Sequence, residues 1–405
     1  MNVLMISPGY PEEMIHFTRG LAEAGAQVIG VGDQHEGAMD PVARKSLAAY
    51  LRVETLWDED ALAAELKDKL RGVKVDRIEC LWEPGMLVAA RLREELGVPG
   101  MTVAQTIPFR DKEKMKQALD AAGIRTPKHY RAGTAAAVRE AASRVGYPAI
   151  VKPIAGAGSA DTYRVDDAAA LEEVLPKLRH VEEVSVEEFI DGEEFTFDTI
   201  CADEEILYWN ISWYRPRPLI GRTVQWISPQ TVTLRRPDIA DLAVGRNMGQ
   251  AVLRALGFKT GFTHMEWFRK PSGEAVFGEI GARPPGARSV HTMNHACDFD
   301  AFRGWAEAVC HGRLSRPAER RYNCAVIFKR AQGEGRIQRI EGLERLVRRF
   351  GDAIVAVDLL PVGAPRRNWK QTLISDGYLI VRHPDLDTTL EIADAVGTDL
   401  QMYAG

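Results

Sequence analysis

In the first hundred residues, short apolar runs alternate with amphipathic stretches, and few folds accept that order. Val3 to Ser7 reads as a buried strand, and Pro8-Gly9 turns the chain toward a helix over Glu12 to Ala24 that Gly25 closes. Val28 to Val31 reads as the next strand, ended by Gly32-Asp33. A helix near Asp60 to Leu70, a third strand over Val75 to Leu81 and a helix over Met86 to Leu96 follow. Strands separated by helices predict parallel pairing with crossover helices on the sheet. The turn after the first strand, Ser7-Pro8-Gly9-Tyr10-Pro11, lacks the glycine spacing of a dinucleotide-binding fingerprint.

The middle of the chain changes character. Asp111 caps a helix within Phe109 to Ala122, with Met115, Leu119 and Ala122 on its apolar face, and Gly123 and Pro127 end it. Strand-like segments follow at Ala149–Val151, Val184–Phe189, Phe195–Cys201 and Ile206–Ile211. Thr196–Ile200 and Val224–Ile227 alternate apolar and polar positions, as half-solvated antiparallel strands do. A long helix over Ile239 to Leu256 precedes a hairpin whose arms are His264–Arg269 and Ala275–Ile280, joined by Lys270-Pro271-Ser272-Gly273. Polar Arg313 to Arg321, with Pro317, reads as a linker. Beyond it, strands at Cys324–Phe328, Ile354–Leu360 and Tyr378–Arg382 alternate with helices near Leu343–Phe350 and Asp387–Val396.

Composition removes several classes of function. The chain has 405 residues, 45% hydrophobic and 27% charged, with formal net charge −5 from 52 basic and 57 acidic residues. That balance speaks against a protein that coats nucleic acid. No apolar stretch reaches the roughly 18 residues of a membrane span. The five cysteines are scattered, odd in number and without a C-x-x-C pair, which predicts reduced thiols in a cytoplasmic protein.

Four segments carry chemistry. Val151-Lys152-Pro153 precedes Gly156-Ala157-Gly158-Ser159, a lysine beside a loop whose backbone can approach an anion closely; a plain glycine hairpin fits the same letters. Glu266 and Glu279 lie thirteen positions apart on the two hairpin arms, in apolar runs, so they are paired, metal-bound or solvated in a cleft. Exposed strand carboxylates are the plain alternative. Gly281-Ala282-Arg283-Pro284-Pro285-Gly286, with Arg288 after it, sets guanidinium groups close to that pair, where they suit a developing phosphoryl charge or a structural ion pair. Glu187-Glu188-Phe189-Ile190-Asp191-Gly192-Glu193-Glu194 reads as a strand entering an acidic turn.

In that order, and with Asp111-Lys112 opening a helix upstream, these segments resemble the ATP-grasp superfamily over nearly the whole chain. The likeness is to its formate-dependent transformylase, biotin carboxylase and L-amino acid ligase members. The resemblance implies an α/β and α+β protein: a Rossmann-like pre-ATP-grasp domain over 1–108, the ATP-grasp fold over 109–312 with a mobile lid about 125–188, and a small α+β module over 313–405. It implies that Lys112 and Lys152 hold ATP phosphates under the Gly156, Gly158 and Ser159 loop. Glu187, Phe189 and Ile190 would meet adenine, and Glu194 the ribose. Glu266 and Glu279 would bind Mg²⁺, or Mn²⁺ in its place. Arg283, with Arg288, would act on the transferred phosphoryl group. Gly281 departs from the pattern: many members have Asn there as a further metal ligand, so the number of metal ions stays open.

The reaction so implied joins a small-molecule carboxylate to an amine through an acyl phosphate, in a cytoplasmic protein, and analogy with related enzymes implies a homodimer. Bicarbonate or formate as the activated acid, and a regulatory ATP-binding protein without turnover, are the rival readings. For substrate contacts the sequence offers Glu83 at the end of a predicted strand, the aromatic and basic Trp213, Arg215 and Trp226, and His291, four positions before His295.

Overall fold

The computed structural model describes residues 1–155 and 161–405. The N-terminal strands form a parallel sheet in the order Ala49–Arg52, Gln27–Gly32, Asn2–Ile6, Arg77–Glu79. Val3, Leu4, Met5 and Ile6 are fully buried, which is what a continuous apolar run in a doubly covered parallel sheet requires. The helices Met14–Glu23 and Met86–Leu96 pack from the two sides through Phe17 and Leu21 and through Val88 and Leu92. Ala49–Arg52 was not foreseen from the sequence. It is a half-exposed edge strand, so no apolar alternation marks it.

A small lobe follows. Its antiparallel sheet runs His129–Ala132, Val184–Glu188, Ala149–Pro153, Tyr163–Val165, covered by the helices Ala135–Val145 and Ala168–Val174. The loop carrying Gly156, Gly158 and Ser159 lies outside the described residues.

The body of the molecule is a sheet of nine strands among the described residues. From the free edge it runs Ala275–Gly281, Gly261–Arg269, Glu193–Ala202, Ser212–Arg215, Gln230–Thr233, Asn323–Phe328, Gly377–His383, Ile354–Leu359, with Glu205–Asn210 paired to Glu193–Ala202. Its two faces differ, as a period of two dictates. Phe195, Phe197, Met265 and Trp267 are buried under the helix Ala240–Ala255. Glu194, Thr196, Asp198, His264 and Glu266 stand on the opposite face, and Glu194, His264 and Glu266 line a cleft there.

Two features differ from expectation. Val224–Ile227 forms no strand: Arg330 holds the carbonyls of Val224 and Gln225, and Val224 and Trp226 are exposed. The strand is Gln230–Thr233, whose β-branched run is fully buried. The strands after residue 313 do not make a sheet of their own. Three extend the central sheet, and only Ile337–Glu341 and Gln401–Ala404 pair apart. All five cysteines are free. Among the described residues no helix is long and apolar enough to cross a membrane.

Candidate active site

The hairpin Gly261–Arg269/Ala275–Gly281 sets the centre of the site. Trp267 faces Phe277 across the pair, but Glu266 faces Glu279, so one extra residue, Gly278, is bulged out between them. The bulge turns both carboxylates to the same face. Only glycine fits there, because a Cβ on Gly278 would lie 2.8 Å from the Glu266 carbonyl oxygen.

Lysines from two other elements converge on this pair. Lys112, at the start of the helix that Asp111 caps, reaches Glu279 Oε1 at 3.1 Å. Lys152, near the end of the strand Ala149–Pro153, lies 3.0 Å from Glu187 Oε2 and 4.0 Å from Glu279 Oε2. Glu187 also accepts a 2.6 Å bond from Lys116, a residue that sequence reasoning missed. Burial alone would raise the Glu187 carboxyl, but Lys116 and Lys152 hold it far below the usual carboxylate range. Burial would likewise lower Lys152, but Glu187 and Glu279 outweigh it and raise the ammonium pKa. Lys116 is lowered, burial outweighing Glu187.

On the side toward residues 187–194, Arg217 donates to the Ile190 carbonyl at 2.8 Å and lies over both the Phe189 and Phe268 rings at 4.9 Å. Its Nε sits 3.4 Å from Glu194. Burial, and then the charge of Glu266, push the Glu194 carboxyl up to about 8, against Arg217. Behind the Glu266–Glu279 pair runs a buried chain of polar contacts. Thr196 donates to Asp198, which meets His264 Nδ1 at 2.6 Å; His264 Nε2 lies 3.6 Å from Glu266, to which Tyr214 also donates at 3.1 Å. Burial would lower His264, yet Asp198 pushes it up to about 9. A cationic His264 beside Glu266 fixes that carboxylate in place.

Arg283 donates to Glu83 at 2.7 Å, and Arg110 holds the other Glu83 oxygen, so the N-terminal domain closes the site from above. The aliphatic stem of Arg283 lies 3.2 Å from where a side chain on Gly281 would begin. These groups surround one cleft of about 760 Å³, a size within the range of small-molecule sites. Two carboxylates side by side, hard oxygen donors, and flanking lysines fit a divalent cation bound together with a polyphosphate.

The structure brings Lys112, Lys152, Glu187, Ile190, Glu194, Glu266, Glu279, Arg283 and Glu83 to this cleft. Phe189 stands beside it, between Arg164 and Arg217. Five other residues singled out in the sequence stand apart. Arg288 is buried against both oxygens of Glu12, at 2.7 and 2.8 Å, and over the Tyr378 ring. Trp213 and Arg215 flank Tyr214 on a strand, so when Tyr214 faces the cleft they face away: Trp213 stacks on Phe195 and Arg215 meets Asp394. Trp226 is exposed near Arg366. His291 packs among His16 and Phe302, and burial pushes its pKa down to about 3. Strand alternation puts Tyr214 on the face opposite Trp213 and Arg215, whereas Arg217 lies beyond the strand's end at Arg215, where alternation no longer applies. Lys116 stands one helical turn beyond Lys112 on the same face, though nothing in its sequence neighbours marks it as buried.

Residues 22–100 match the ATP-grasp N-terminal domain model and residues 109–213 the ATP-grasp domain model. An L-arginine-specific L-amino acid ligase of Bacillus subtilis is 26% identical over 238 residues, 57% of this chain and 57% of that protein's length. A D-alanine–D-alanine ligase of Xylella fastidiosa is 28% identical over 167 residues, 39% of this chain and 55% of that protein. Among solved structures, an L-amino acid ligase from Bacillus licheniformis aligns over 100% of this chain and 98% of its own, with TM-score 0.79 and 19% identity. N5-carboxyaminoimidazole ribonucleotide synthetase from Thermotoga maritima aligns over 100% and 99%, with TM-score 0.73 and 17% identity.

Proposed function

The chain belongs to the ATP-grasp superfamily, and on that footing we propose that it is an ATP-dependent carboxylate–amine ligase acting on small molecules, of the amino-acid or peptide ligase kind. The observation that carries the reading is the convergence of Lys112, Lys152, Glu187, Glu266, Glu279 and Arg283, drawn from three parts of the chain, on one cleft. Nucleotide storage alone does not call for a carboxylate pair with a guanidinium beside it.

The reaction has two steps. A substrate carboxylate oxygen bonds to the γ-phosphorus of ATP, the bond from that phosphorus to the bridging oxygen breaks, and ADP leaves. The amine then bonds to the acyl carbon of the mixed anhydride, inorganic phosphate leaves, and the nitrogen gives up a proton. Lys112 and Lys152 take the phosphate oxygens, exchanging their present carboxylate partners for them. Glu266 and Glu279 would hold Mg²⁺, which when bound would supply neutralisation of charge on the phosphates. Arg283, oriented by Glu83, steadies the equatorial oxygens in the transition state. The Ile190 backbone and Glu187 serve the adenine, and Glu194 the ribose. Closure of the small lobe over the cleft keeps water from the acyl phosphate.

The test is an ADP-release screen over paired acids and amines, with mass analysis of products. Glu279→Gln is expected to cut turnover at least about 100-fold, the scale of losing one electrostatic stabiliser, with the unfolding midpoint near the parent's. Nucleotide binding with no ADP release from any pair would leave a regulatory ATP-binding protein instead. Release that depends on bicarbonate or formate would replace the acid named here.

A further inference from the structure

The cleft has a second charged end that the chemistry above leaves unused. Arg222, on the helix Pro218–Thr223, and Arg330, just past the strand Asn323–Phe328, both line it. Neither has a carboxylate within 4.0 Å among the described residues. Arg222 makes one hydrogen bond, from Nη1 to the Lys370 carbonyl at 2.9 Å. Arg330 is held by backbone and a hydroxyl: Nη1 donates to Val224 and Gln225, Nη2 to Gly221, and Nε reaches Ser375 Oγ at 3.4 Å. Its guanidinium stacks over Trp369 at 4.6 Å. Burial lowers the pKa of both groups, Arg330 to about 10, where the charge of Arg222 adds to the lowering and Asp376 opposes it.

Two neighbouring, partly desolvated guanidinium groups without an acid partner are an arrangement that an incoming anion relieves. Hydroxyls converge on the same place, since Thr372 and Ser375 line the cleft beside Arg330. The contrast with the other end is sharp. There every lysine at the carboxylate cluster is already matched by a glutamate.

Distance limits what can use both ends. Five interstrand steps separate Ala275–Gly281 from Asn323–Phe328. At ~4.8 Å per step this is about 24 Å along a flat sheet. The sheet curls, for Leu373 of the Arg330 side packs against Gly286 of the Arg283 side. The flat figure is therefore an upper bound on the span, at most roughly seven extended residues at ~3.4 Å each. We propose that Arg222 and Arg330 receive the carboxylate of an elongated substrate, a short peptide or an acid of similar length, whose other end reaches the acyl-phosphate centre. The inference rests on the ligase reading and adds to it the charge and length of a substrate.

Equilibrium binding tests it independently of turnover, with tryptophan fluorescence as readout because Trp369 lies against Arg330. The protein, with ADP and Mg²⁺ present, is titrated with trialanine, its C-terminal amide, free alanine and inorganic phosphate. Trialanine is expected to bind saturably, the amide and free alanine at least about tenfold more weakly, as loss of a charge-assisted hydrogen bond or of reach requires. Arg222→Gln is expected to weaken trialanine at least about tenfold while ADP affinity stays unchanged. Equal binding of acid and amide, no binding of trialanine, or an unaltered affinity in Arg222→Gln overturns the proposal. Free alanine as good as trialanine overturns the length, and inorganic phosphate outcompeting trialanine overturns the carboxylate. Failure of the ligase reading would show elsewhere, as absence of ADP release from the substrate screen.

Discussion

Lys116 is 1% exposed, and its ammonium is held by Glu187 and the Lys112 carbonyl. Replacing one member of such a buried pair strands the other. Lys116→Met keeps most of the volume and leaves Glu187 with Lys152 alone, so a loss of about 3 kcal/mol is expected, read from the urea midpoint. An unchanged midpoint would mean that the pair contributes no net stability. His129 gives a pH signature. It bridges Glu113 at 2.7 Å and Asp120 at 3.0 Å; burial lowers its pKa, but these carboxylates outweigh that and raise it above 6.5. A raised folded-state value means the proton binds the native protein more tightly. The resulting stability is complete below the unfolded value and is lost as pH climbs through the folded one. The stability gap between the parent and His129→Gln should therefore narrow from mildly acidic to mildly alkaline solution, and a constant gap would refute the linkage. At this scale the sequence was legible where a charge stood inside an apolar run, as at Glu266 and Glu279. It was opaque where a residue's neighbours were ordinary: nothing around Lys116 marks it as buried, because the glutamate that buries it is 71 positions away.

Elements were legible where their period was complete. The hairpin around Lys270–Gly273 and the helix Ala240–Ala255 follow from alternation and from a periodic apolar face. What the period does not reveal is which face meets the cleft. Trp213 and Arg215 drew attention by type, whereas the strand turns Tyr214 inward. The bulge at Gly278 also escapes pattern reading, since a single inserted residue leaves both arms looking regular. Helix Ala240–Ala255 owes its close approach to the sheet to Gly245 and Gly249, one turn apart. A Cβ on Gly249 would lie 2.2 Å from the Phe197 ring, and one on Gly245 2.1 Å from Trp267. Alanine at position 249 gains about 1 kcal/mol of helix propensity. It must also displace a fully enclosed ring, and overpacking costs about 1–3 kcal/mol, more for a contact this short. Gly249→Ala is thus expected to lower stability by about 1–2 kcal/mol in denaturant titration. A stabilised variant would show that the helix can lift from the sheet freely.

At the scale of the molecule, motif order was readable along the chain, but sheet order was not. The late strands join the central sheet because Gln230–Thr233 offers them an edge, a pairing between segments about ninety positions apart that no local pattern announces. The same long-range assembly makes the cleft an interlocked device. Lys152 and Glu187 come from the small lobe, Lys112 from the helix beside it, Glu266 and Glu279 from the central sheet, and Glu83 from the N-terminal domain. Lys112 and Lys152 are paired with Glu279 and Glu187. On the proposed reading, a polyphosphate that draws these lysines away leaves Glu279 without its lysine partners and facing phosphate oxygens. A divalent cation removes that repulsion, yet on its own it must first expel Lys112 from Glu279. On the proposed reading each ligand prepares the site for the other, and thermodynamic reciprocity makes the effect equal in both directions. Calorimetric titration with ADP is expected to give at least about tenfold tighter binding when Mg²⁺ is present, a coupling of about 1–3 kcal/mol. Lys112→Met should bind Mg²⁺ alone more tightly than the parent does and show a smaller coupling, since the exchange of partners has been removed. Identical ADP affinity with and without Mg²⁺ would mean that the carboxylate pair and the lysines do not share one ligand.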